Sequence, residues 1–196
     1  MATKVEMKVL TQYLERFGWK QYRPENEPGE KEGIIYTGWR SSPTSRGFDL
    51  TIDPIAESNC LALRVYWLAK APLDGTPPDR LADLMLLLAW LNHRFLIGKF
   101  AYDLRDGEVR YSVDLPIDEN EVNYPQFEHT LRVITNTVEG WTPRLQALLN
   151  GEKRLGDIIL QDARDGNLPQ EVQKALEEVL KKQGKVSGGG EPLTEV

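Results

Sequence analysis

The chain has 196 residues, of which 40% are hydrophobic and 28% are charged, and its net charge at pH 7 is -6. This length suits one domain with an appendage, and the negative charge argues against nucleic-acid binding, which needs a basic surface. We expect a cytoplasmic protein, because Cys60 is a single cysteine and residues 1–10 lack a secretory signal. We expect no membrane insertion, because the longest apolar run, residues 84–91, is far short of the roughly 20 residues of a membrane helix.

The first element that the sequence predicts is an amphipathic helix over residues 3–17. Its apolar residues recur at three- and four-residue steps and share one face, and Gly18 is a suitable C-terminal stop. Residues 19–32 are rich in Pro, Glu and Gly and predict a loop, which Trp19 and Tyr22 attach in part to the domain.

Three strands follow: residues 34–37 form a short β-branched and aromatic run, and apolar residues alternate at positions 48–52 and 61–67. The short polar connections between them favour an antiparallel meander with one buried face. We expect Pro54 to end the second strand, because proline cannot donate to a ladder of hydrogen bonds.

Residues 79–94 predict the central helix, and we expect Thr76 to be its N-cap. Its apolar face combines a stripe at helical spacing with three residues that widen it: Leu81, Leu84, Met85, Leu88 and Leu91, with Leu86, Leu87 and Trp90. So wide a face is typical of a helix that is buried on most sides or contacts a second chain.

Alternating residues at 100–104 and 109–115 predict a hairpin that reverses at Asp106-Gly107, a pair suited to tight turns. Another amphipathic helix starts near Asn123 or Tyr124. We expect Gly140 and Pro143 to interrupt it, and Thr142 to cap a short helix that stops at Gly151.

The sequence divides into a domain of residues 1–151, a helical appendage of residues 152–184 and a flexible tail of residues 185–196. In the appendage, residues 155–160 predict a turn of helix and residues 169–182 a longer helix. The tail contains three consecutive glycines, which is typical of a linker rather than of a phosphate site. We expect the appendage to fold back onto the domain or onto a partner.

The stretch NHRFLIGKFAYDLRDGEVRYSVDLPID resembles the YbjN family, which shares the fold of the type III secretion chaperones. The matching residues are Leu91-Asn92, Gly98-Lys99-Phe100, Asp106-Gly107-Glu108-Val109 and Leu115-Pro116. The resemblance covers about residues 1 to 150. Within the family the chain resembles the cyanobacterial-type members, several of which are regarded as assembly chaperones.

This resemblance implies an α+β fold of the type III secretion chaperone kind, in the order α-β-β-β-α-β-β-α. Helices would pack against a five-stranded antiparallel sheet. In this chain the helical C-terminal appendage follows that domain. It also implies a homodimer, a client protein as partner and no catalytic centre. The corresponding function is a non-enzymatic protein-binding module, a chaperone or assembly factor. The alternative is a small-molecule-binding sensory or regulatory protein.

The residues themselves predict no catalytic, cofactor or metal site. Cys60 has no histidine near it in sequence, and His93 and His129 lack metal-ligand spacing. No glycine motif for phosphate occurs. The acidic group of Asp114, Asp118, Glu119 and Glu121 lacks the spacing of a calcium loop, so a solvated loop is favoured over acid-base or metal chemistry.

Aromatic residues are the stronger functional signal, because they act as anchors in protein interfaces. We expect most to be in the core and the rest to line a client-binding groove, where the client also pairs with a sheet edge. The net negative charge favours basic clients. The candidate protein-binding residues are Trp39, Phe48, Trp67, Leu87, Trp90, Tyr102 and Tyr111.

Overall fold

The computed structural model describes residues 6–25, 33–42, 44–55, 59–117 and 122–186, and over them the chain forms a mixed α+β structure. The helices are α1 (Met7–Phe17), α2 (Pro78–Arg94), α3 (Tyr124–Asn150), α4 (Leu155–Asp165) and α5 (Gln170–Lys182). The strands are β1 (Tyr22–Glu25), β2 (Ile34–Arg40), β3 (Gly47–Ile55), β4 (Cys60–Lys70), β5 (Lys99–Tyr102) and β6 (Glu108–Pro116).

The strands form one antiparallel sheet in the order β1-β2-β3-β4-β6-β5. Its apolar face packs under the helices: Ile35 lies opposite Ile52, Ile52 lies opposite Leu63, and all three side chains are fully buried. The other face alternates with it and carries polar side chains such as Asp49 and Arg64. The expected α+β architecture is therefore confirmed, with its meander of β2, β3 and β4.

The sheet has six strands where five were expected, because Tyr22–Glu25, predicted as loop, pairs with β2. Tyr22 lies opposite Thr37, and the Thr37 hydroxyl donates a 2.9 Å hydrogen bond to the Gln21 carbonyl where the chain enters β1. Pairing with β2, the next strand along the chain, decides the conformation of this polar segment. Residues 26–32 of the predicted loop lie outside the described residues.

The prediction that Pro54 ends its strand is wrong, because β3 continues through Pro54 to Ile55. Ile52 is the last residue of β3 that pairs with β2, whereas Pro54 lies opposite Leu61 of β4. Pro54 therefore occupies a part of β3 that has become an edge, where a missing N–H is tolerated.

Helix α2 begins with Pro77 as its N-cap residue and has no side-chain cap, so the prediction of Thr76 is wrong. Proline suits the first helical positions, where the missing N–H has no helical acceptor. Four leucines of α2 are buried, whereas Leu86 is 51% exposed. The last turn contains His93 and Arg94, which suit the negative end of the helix dipole.

Helix α3 is one continuous helix of 27 residues, although an interruption at Gly140 and Pro143 was expected. Trp141 before the proline, and Leu145 and Leu148 after it, belong to one buried stripe. Each such side chain contributes about 1.5–3 kcal/mol on burial. Together they outweigh the roughly 3 kcal/mol that an interior proline costs.

Two parts of the chain beyond Gly151 pack on α2. They are the helix α4 and the segment that follows α5. The Asp162 carboxylate of α4 accepts hydrogen bonds from Trp90 and Arg94, and Lys185 pairs with Asp83 of α2. Helix α4 is longer than the predicted turn at 155–160, while α5 agrees with the prediction. Residues 187–196 of the expected tail lie outside the described residues.

None of the helices in the described ranges combines the length and the apolar character that crossing a membrane requires.

Candidate functional site

Three of the seven candidate residues belong to the core. Phe48, Leu87 and Tyr111 are at most 5% exposed. Burial raises the pKa of Tyr111, whose neutral hydroxyl donates a 2.6 Å hydrogen bond to the carbonyl of Ile97. These side chains hold the sheet and helices together, so a partner does not reach them in the folded chain.

Trp39 is half-buried in a row of stacked rings. Its ring lies between Trp19 and Phe48, with ring centroids 5.5 Å and 5.0 Å away. The indole N–H donates a 2.8 Å hydrogen bond to Glu139 of α3. Trp39 therefore attaches β2 to α3, and the aromatic excess in this part of the sequence is structural.

Trp90 is half-buried between α2 and α4. Its indole N–H donates a 2.8 Å hydrogen bond to Asp162, and the same carboxylate oxygen lies 2.9 Å from Nε of Arg94. Asp162 is only 9% exposed, so both bonds form with little competition from water. This link holds α4 over one side of α2.

Trp67 differs from the other candidates because its side chain is 50% exposed. It lies where the pairing of β4 with β6 is irregular, between Val65 and Ala69, and its φ is 56°. Left-handed backbone is an outlier for a bulky residue and costs about 1–3 kcal/mol. Such strain persists only where the surrounding structure enforces it, and it concentrates at functional sites.

Two side chains fix the backbone of Trp67. Glu108, 4% exposed, accepts a 3.1 Å hydrogen bond from the Trp67 N–H. Nη2 of Arg46 donates to the carbonyls of Trp67 and Leu68, at 3.0 Å and 3.3 Å. Burial lowers the pKa of Arg46, but a guanidinium stays charged at neutral pH. The bulge is therefore held by the first residue of β6 and by the residue that precedes β3.

Two further hydrophobic side chains are exposed at the same end of the sheet. Leu73, 54% exposed, follows β4, and Leu104, 67% exposed, lies in the turn between β5 and β6. The two loops are joined, because the Ala71 N–H donates a 2.8 Å hydrogen bond to the Gly107 carbonyl. We call Trp67, Leu73 and Leu104 the Trp67 surface.

Tyr102 and Gly107 close the junction beneath these loops. Tyr102, half-buried, donates a 2.5 Å hydrogen bond to the Ala71 carbonyl, and burial raises its pKa. Gly107 has a φ of +75°, and a Cβ on it would lie 2.3 Å from the nitrogen of Pro72. Only glycine fits there, which accounts for the Asp-Gly pair of the hairpin in terms of packing.

Leu73 and Leu104 were not among the sequence candidates. The signal for Leu73 is a lone leucine in the polar loop PLDGTPP, and Leu104 was assigned to the alternating strand although β5 ends at Tyr102. Nothing local in the sequence reveals the bulge at Trp67, since it depends on Glu108 and Arg46.

Both edges of the sheet are protected against an added strand. The Asn92 side chain donates to the Phe100 carbonyl at 2.9 Å and accepts from the Phe100 N–H at 2.8 Å, so it occupies the backbone groups of Phe100 that a further strand would pair with. On the other edge, β1 contains Pro24 between Arg23 and Glu25, a composition that opposes pairing. Addition of a further strand at β1 or β5 is therefore disfavoured.

The environment of Cys60 disfavours a nucleophile. Burial raises the pKa of the thiol, and the charge of Asp114 adds to this, so the thiolate is scarce at neutral pH. His93 and His129 are exposed on α2 and α3, and neither is among the described groups whose charges act on the thiol.

The carboxylates of Asp103, Asp106 and Glu108 lie within 4.8 Å of one another. Each already has a partner: Asp103 binds Arg105 at 2.7 Å, Asp106 accepts from the Glu108 N–H at 3.0 Å, and Glu108 accepts from Trp67. The hydrogen bonds from Arg105 hold the pKa of Asp103 well below its usual range. The cluster shapes the hairpin turn.

Of the acidic group expected from the sequence, Asp114 lies 3.5 Å from Arg64 and 3.2 Å from Lys99. Asp118, Glu119 and Glu121 lie outside the described residues.

Residues 7–147 match the model of the YbjN family, which is described as a putative bacterial sensory transduction regulator. No curated protein sequence matches the chain. The crystal structure of the ExsC–ExsE complex is similar with a TM-score of 0.48 and 19% identity, over 73% of this chain and 97% of that chain. The structure of the HopA1–SchA chaperone–effector complex is similar with a TM-score of 0.42 and 15% identity, over 69% of this chain and 91% of that one.

Proposed function

The chain belongs to the YbjN family, and we propose that it is a non-enzymatic protein-binding module, of chaperone or assembly-factor type, that holds a client at the Trp67 surface. The observation that carries this proposal is the half-exposed indole of Trp67 on a left-handed backbone. Glycine or asparagine would adopt that backbone with less strain. The presence of tryptophan there therefore supports a role for its side chain.

Recognition in this proposal depends on side chains rather than on strand addition. A tryptophan anchor presents a large contact area and loses little conformational entropy on binding, the more so when its backbone is already fixed. In this proposal Leu73 and Leu104, which are exposed in the loops at the same end of the sheet, add apolar area to the contact. The net charge of -6 favours a basic client segment through electrostatic steering, and the use of a single cysteine accords with the proposed cytoplasmic location.

The test is site-specific photo-crosslinking in cells. A photoreactive residue at Leu104 is expected to form a discrete adduct with a client, and a second substitution, Trp67→Gly, is expected to abolish that adduct. The same photoreactive residue at Leu96, whose side chain is fully exposed, is the matched control and is expected to form none. Adducts of equal yield at both positions, or an adduct at 104 that survives Trp67→Gly, would contradict the proposal.

The exposed stripe of α2 supports a homodimer as a second part of the proposal. Ala82, Leu86 and Ala89 are all exposed and recur at four- and three-residue steps. Two small residues beside a leucine allow another helix to approach closely. Light scattering is expected to show a dimer for the native chain and a monomer for Leu86→Asp. A native monomer would remove this part of the proposal and leave the Trp67 surface untouched.

A further inference from the structure

The helices α4 and α5 form a hairpin whose open end is closed by hydrogen bonds. The N–H of Gly156, in the first turn of α4, donates a 2.8 Å hydrogen bond to the carbonyl of Lys185, which follows α5. Nη1 of Arg154 donates to the carbonyl of Val186 at 3.0 Å. The start of α4 and the segment after α5 are therefore joined. We call residues 154–186 the C-terminal hairpin.

Gly156 leaves no room for a side chain at this closure. A Cβ on it would lie 2.6 Å from the Lys185 carbonyl oxygen and 2.8 Å from Cγ2 of Val186. Helix α5 packs on α4, and of its 13 residues, all of which the structure describes, only Leu180 is buried. Because α5 has so little buried surface of its own, it is retained by α4 and by the closure, and the two helices are coupled.

One face of α4 attaches the hairpin to α2. Leu155, Ile159 and Asp162 are buried and recur at four- and three-residue steps, so they share this face. The Asp162 carboxylate accepts from Nε1 of Trp90 at 2.8 Å and lies 2.9 Å from Nε of Arg94. Loss of this carboxylate leaves two donors of α2 without their acceptor, so Asp162 is an important polar contact of the hairpin.

The rest of the fold does not need this hairpin for its strand pairing. All six strands end by Pro116 and pair with one another, and the family match also ends before the hairpin, at residue 147. A second ion pair to α2, from Lys185 to Asp83, is only partly buried, with side chains 26% and 15% exposed. Peripheral units attached through few contacts open locally at a lower free-energy cost than the strands of the core.

We propose that the C-terminal hairpin is a lid on α2, which opens and closes as one unit and is held closed mainly by Asp162. Opening uncovers the indole of Trp90, which is four residues from Leu86 and therefore lies beside the exposed stripe of α2. The lid thus sets how much of α2 a second copy of this chain can reach. That consequence rests on the proposed homodimer, whereas the opening itself does not.

Native-state hydrogen exchange on the full chain measures the equilibrium constant for opening at each amide. We expect the amides of α4 and α5 to share one opening constant, about tenfold or more above that of the slowest amides in β4 and β6. The measurement reads the opening directly and is independent of whether the chain forms a dimer. Helices that exchange only together with those strands, or an α5 that opens while α4 exchanges with the strands, would overturn the inference.

Two variants separate opening of the lid from unfolding of the whole chain. Asp162→Ala leaves Trp90 and Arg94 without their acceptor, so we expect the shared opening constant of α4 and α5 to rise about tenfold or more. Ile52→Val removes a buried methyl group from β3, and we expect it to raise the opening constant of the strands about threefold or more and to leave that of α4 and α5 unchanged. An equal rise in the helices and the strands with Ile52→Val would show that the hairpin opens only with the whole chain.

The matched control for Asp162→Ala is Asp165→Ala on the same helix. The Asp165 side chain is 51% exposed and lies 3.5 Å from its partner Arg144, so we expect the opening constant of α4 and α5 to change by less than about threefold. Equal effects of the two substitutions would mean that Asp162 does not hold the lid closed.

Gly156→Ala tests whether the closure couples the two helices. Alanine favours helix and does not weaken α4 itself, but its Cβ displaces the Lys185 carbonyl. We expect α5 then to open more often than α4, so that the two no longer share one opening constant. Gly140→Ala in α3, where a Cβ meets nothing within 4 Å, is the control and is expected to leave the shared constant unchanged. If α4 and α5 still open together in Gly156→Ala, the closure does not make them one unit.

Discussion

The carboxylate of Glu108 accepts a hydrogen bond from the backbone N–H of Trp67, 41 positions earlier in the chain. Glu108 follows the Asp106-Gly107 turn directly and is almost fully buried. The hairpin that marks the family resemblance therefore also fixes the backbone from which the exposed indole projects. A structural motif and the proposed binding surface are joined through this one contact.

The backbone of Trp67 predicts an unusual order of stability between two variants. Glycine normally destabilises a strand by roughly 0.5–1 kcal/mol relative to alanine. At a left-handed position the order reverses, because alanine carries about 1–2 kcal/mol of steric strain there. We expect Trp67→Gly to be at least as stable as Trp67→Ala in urea denaturation.

The matched control for this comparison is Leu96, which is fully exposed and does not have a positive φ. At this position Leu96→Gly is expected to be less stable than Leu96→Ala. If both positions show the ordinary order, the left-handed backbone at Trp67 is not formed in solution.

At Glu108 we expect a variant without a hydrogen-bond acceptor to lose more stability than a variant that keeps one. Glu108→Ala leaves the Trp67 N–H without its partner, which costs about 1–3 kcal/mol. Glu108→Gln keeps an acceptor oxygen and loses mainly the ion pair with Arg110, 3.7 Å away, so we expect less than about 1 kcal/mol. Urea denaturation measures both. Equal losses in the two variants would mean that the charge, and not the hydrogen bond, matters.

Two signals confined to a few neighbouring residues were predicted well from the sequence, although the equally local N-cap prediction at Thr76 was wrong. Gly18 ends α1 with a φ of 99°, and Asn123 caps α3 by a reciprocal pair of hydrogen bonds with Gln126 at 3.0 Å and 3.1 Å. In each case the cause lies within three residues of the effect, so the local pattern is sufficient.

Features decided by distant residues were not predictable in the same way. The strand β1 exists because β2 pairs with it, and Pro143 stays inside α3 because Trp141 and Leu145 are buried on either side of it. The bulge at Trp67 depends on Glu108 and Arg46. The candidate site therefore followed from the structure, although its tryptophan was already a candidate in the sequence.

Asn92 is predicted to protect the edge of β5. Asn92→Ala removes both hydrogen bonds to Phe100, which we expect to cost about 1–3 kcal/mol and to speed hydrogen exchange at the Phe100 amide. Asn150→Ala is the control, since it removes one exposed hydrogen bond and is expected to change stability by less than about 0.5 kcal/mol. Unchanged exchange at Phe100 would show that the side chain of Asn92 does not bind the strand edge.

The raised pKa of Cys60 predicts slow alkylation. Since burial disfavours the thiolate, less of it is present at pH 7 than in a free thiol, and the rate is expected to rise as the pH approaches and passes the ordinary thiol pKa of about 8.5. Iodoacetamide kinetics compared with glutathione measure this. A rate at pH 7 above that of glutathione would indicate an activated thiol and would reopen an enzymatic role.

The account depends most on Trp67 as the contact for a client, and quantitative co-purification of the native chain, Trp67→Gly and Leu96→Gly tests that claim directly. Because Trp67→Gly is expected to fold, a loss of binding in it cannot be attributed to unfolding. The account predicts that a partner retained by the native chain and by Leu96→Gly falls roughly tenfold or more with Trp67→Gly, as for an interface hot spot. Equal recovery of that partner by all three chains would contradict it.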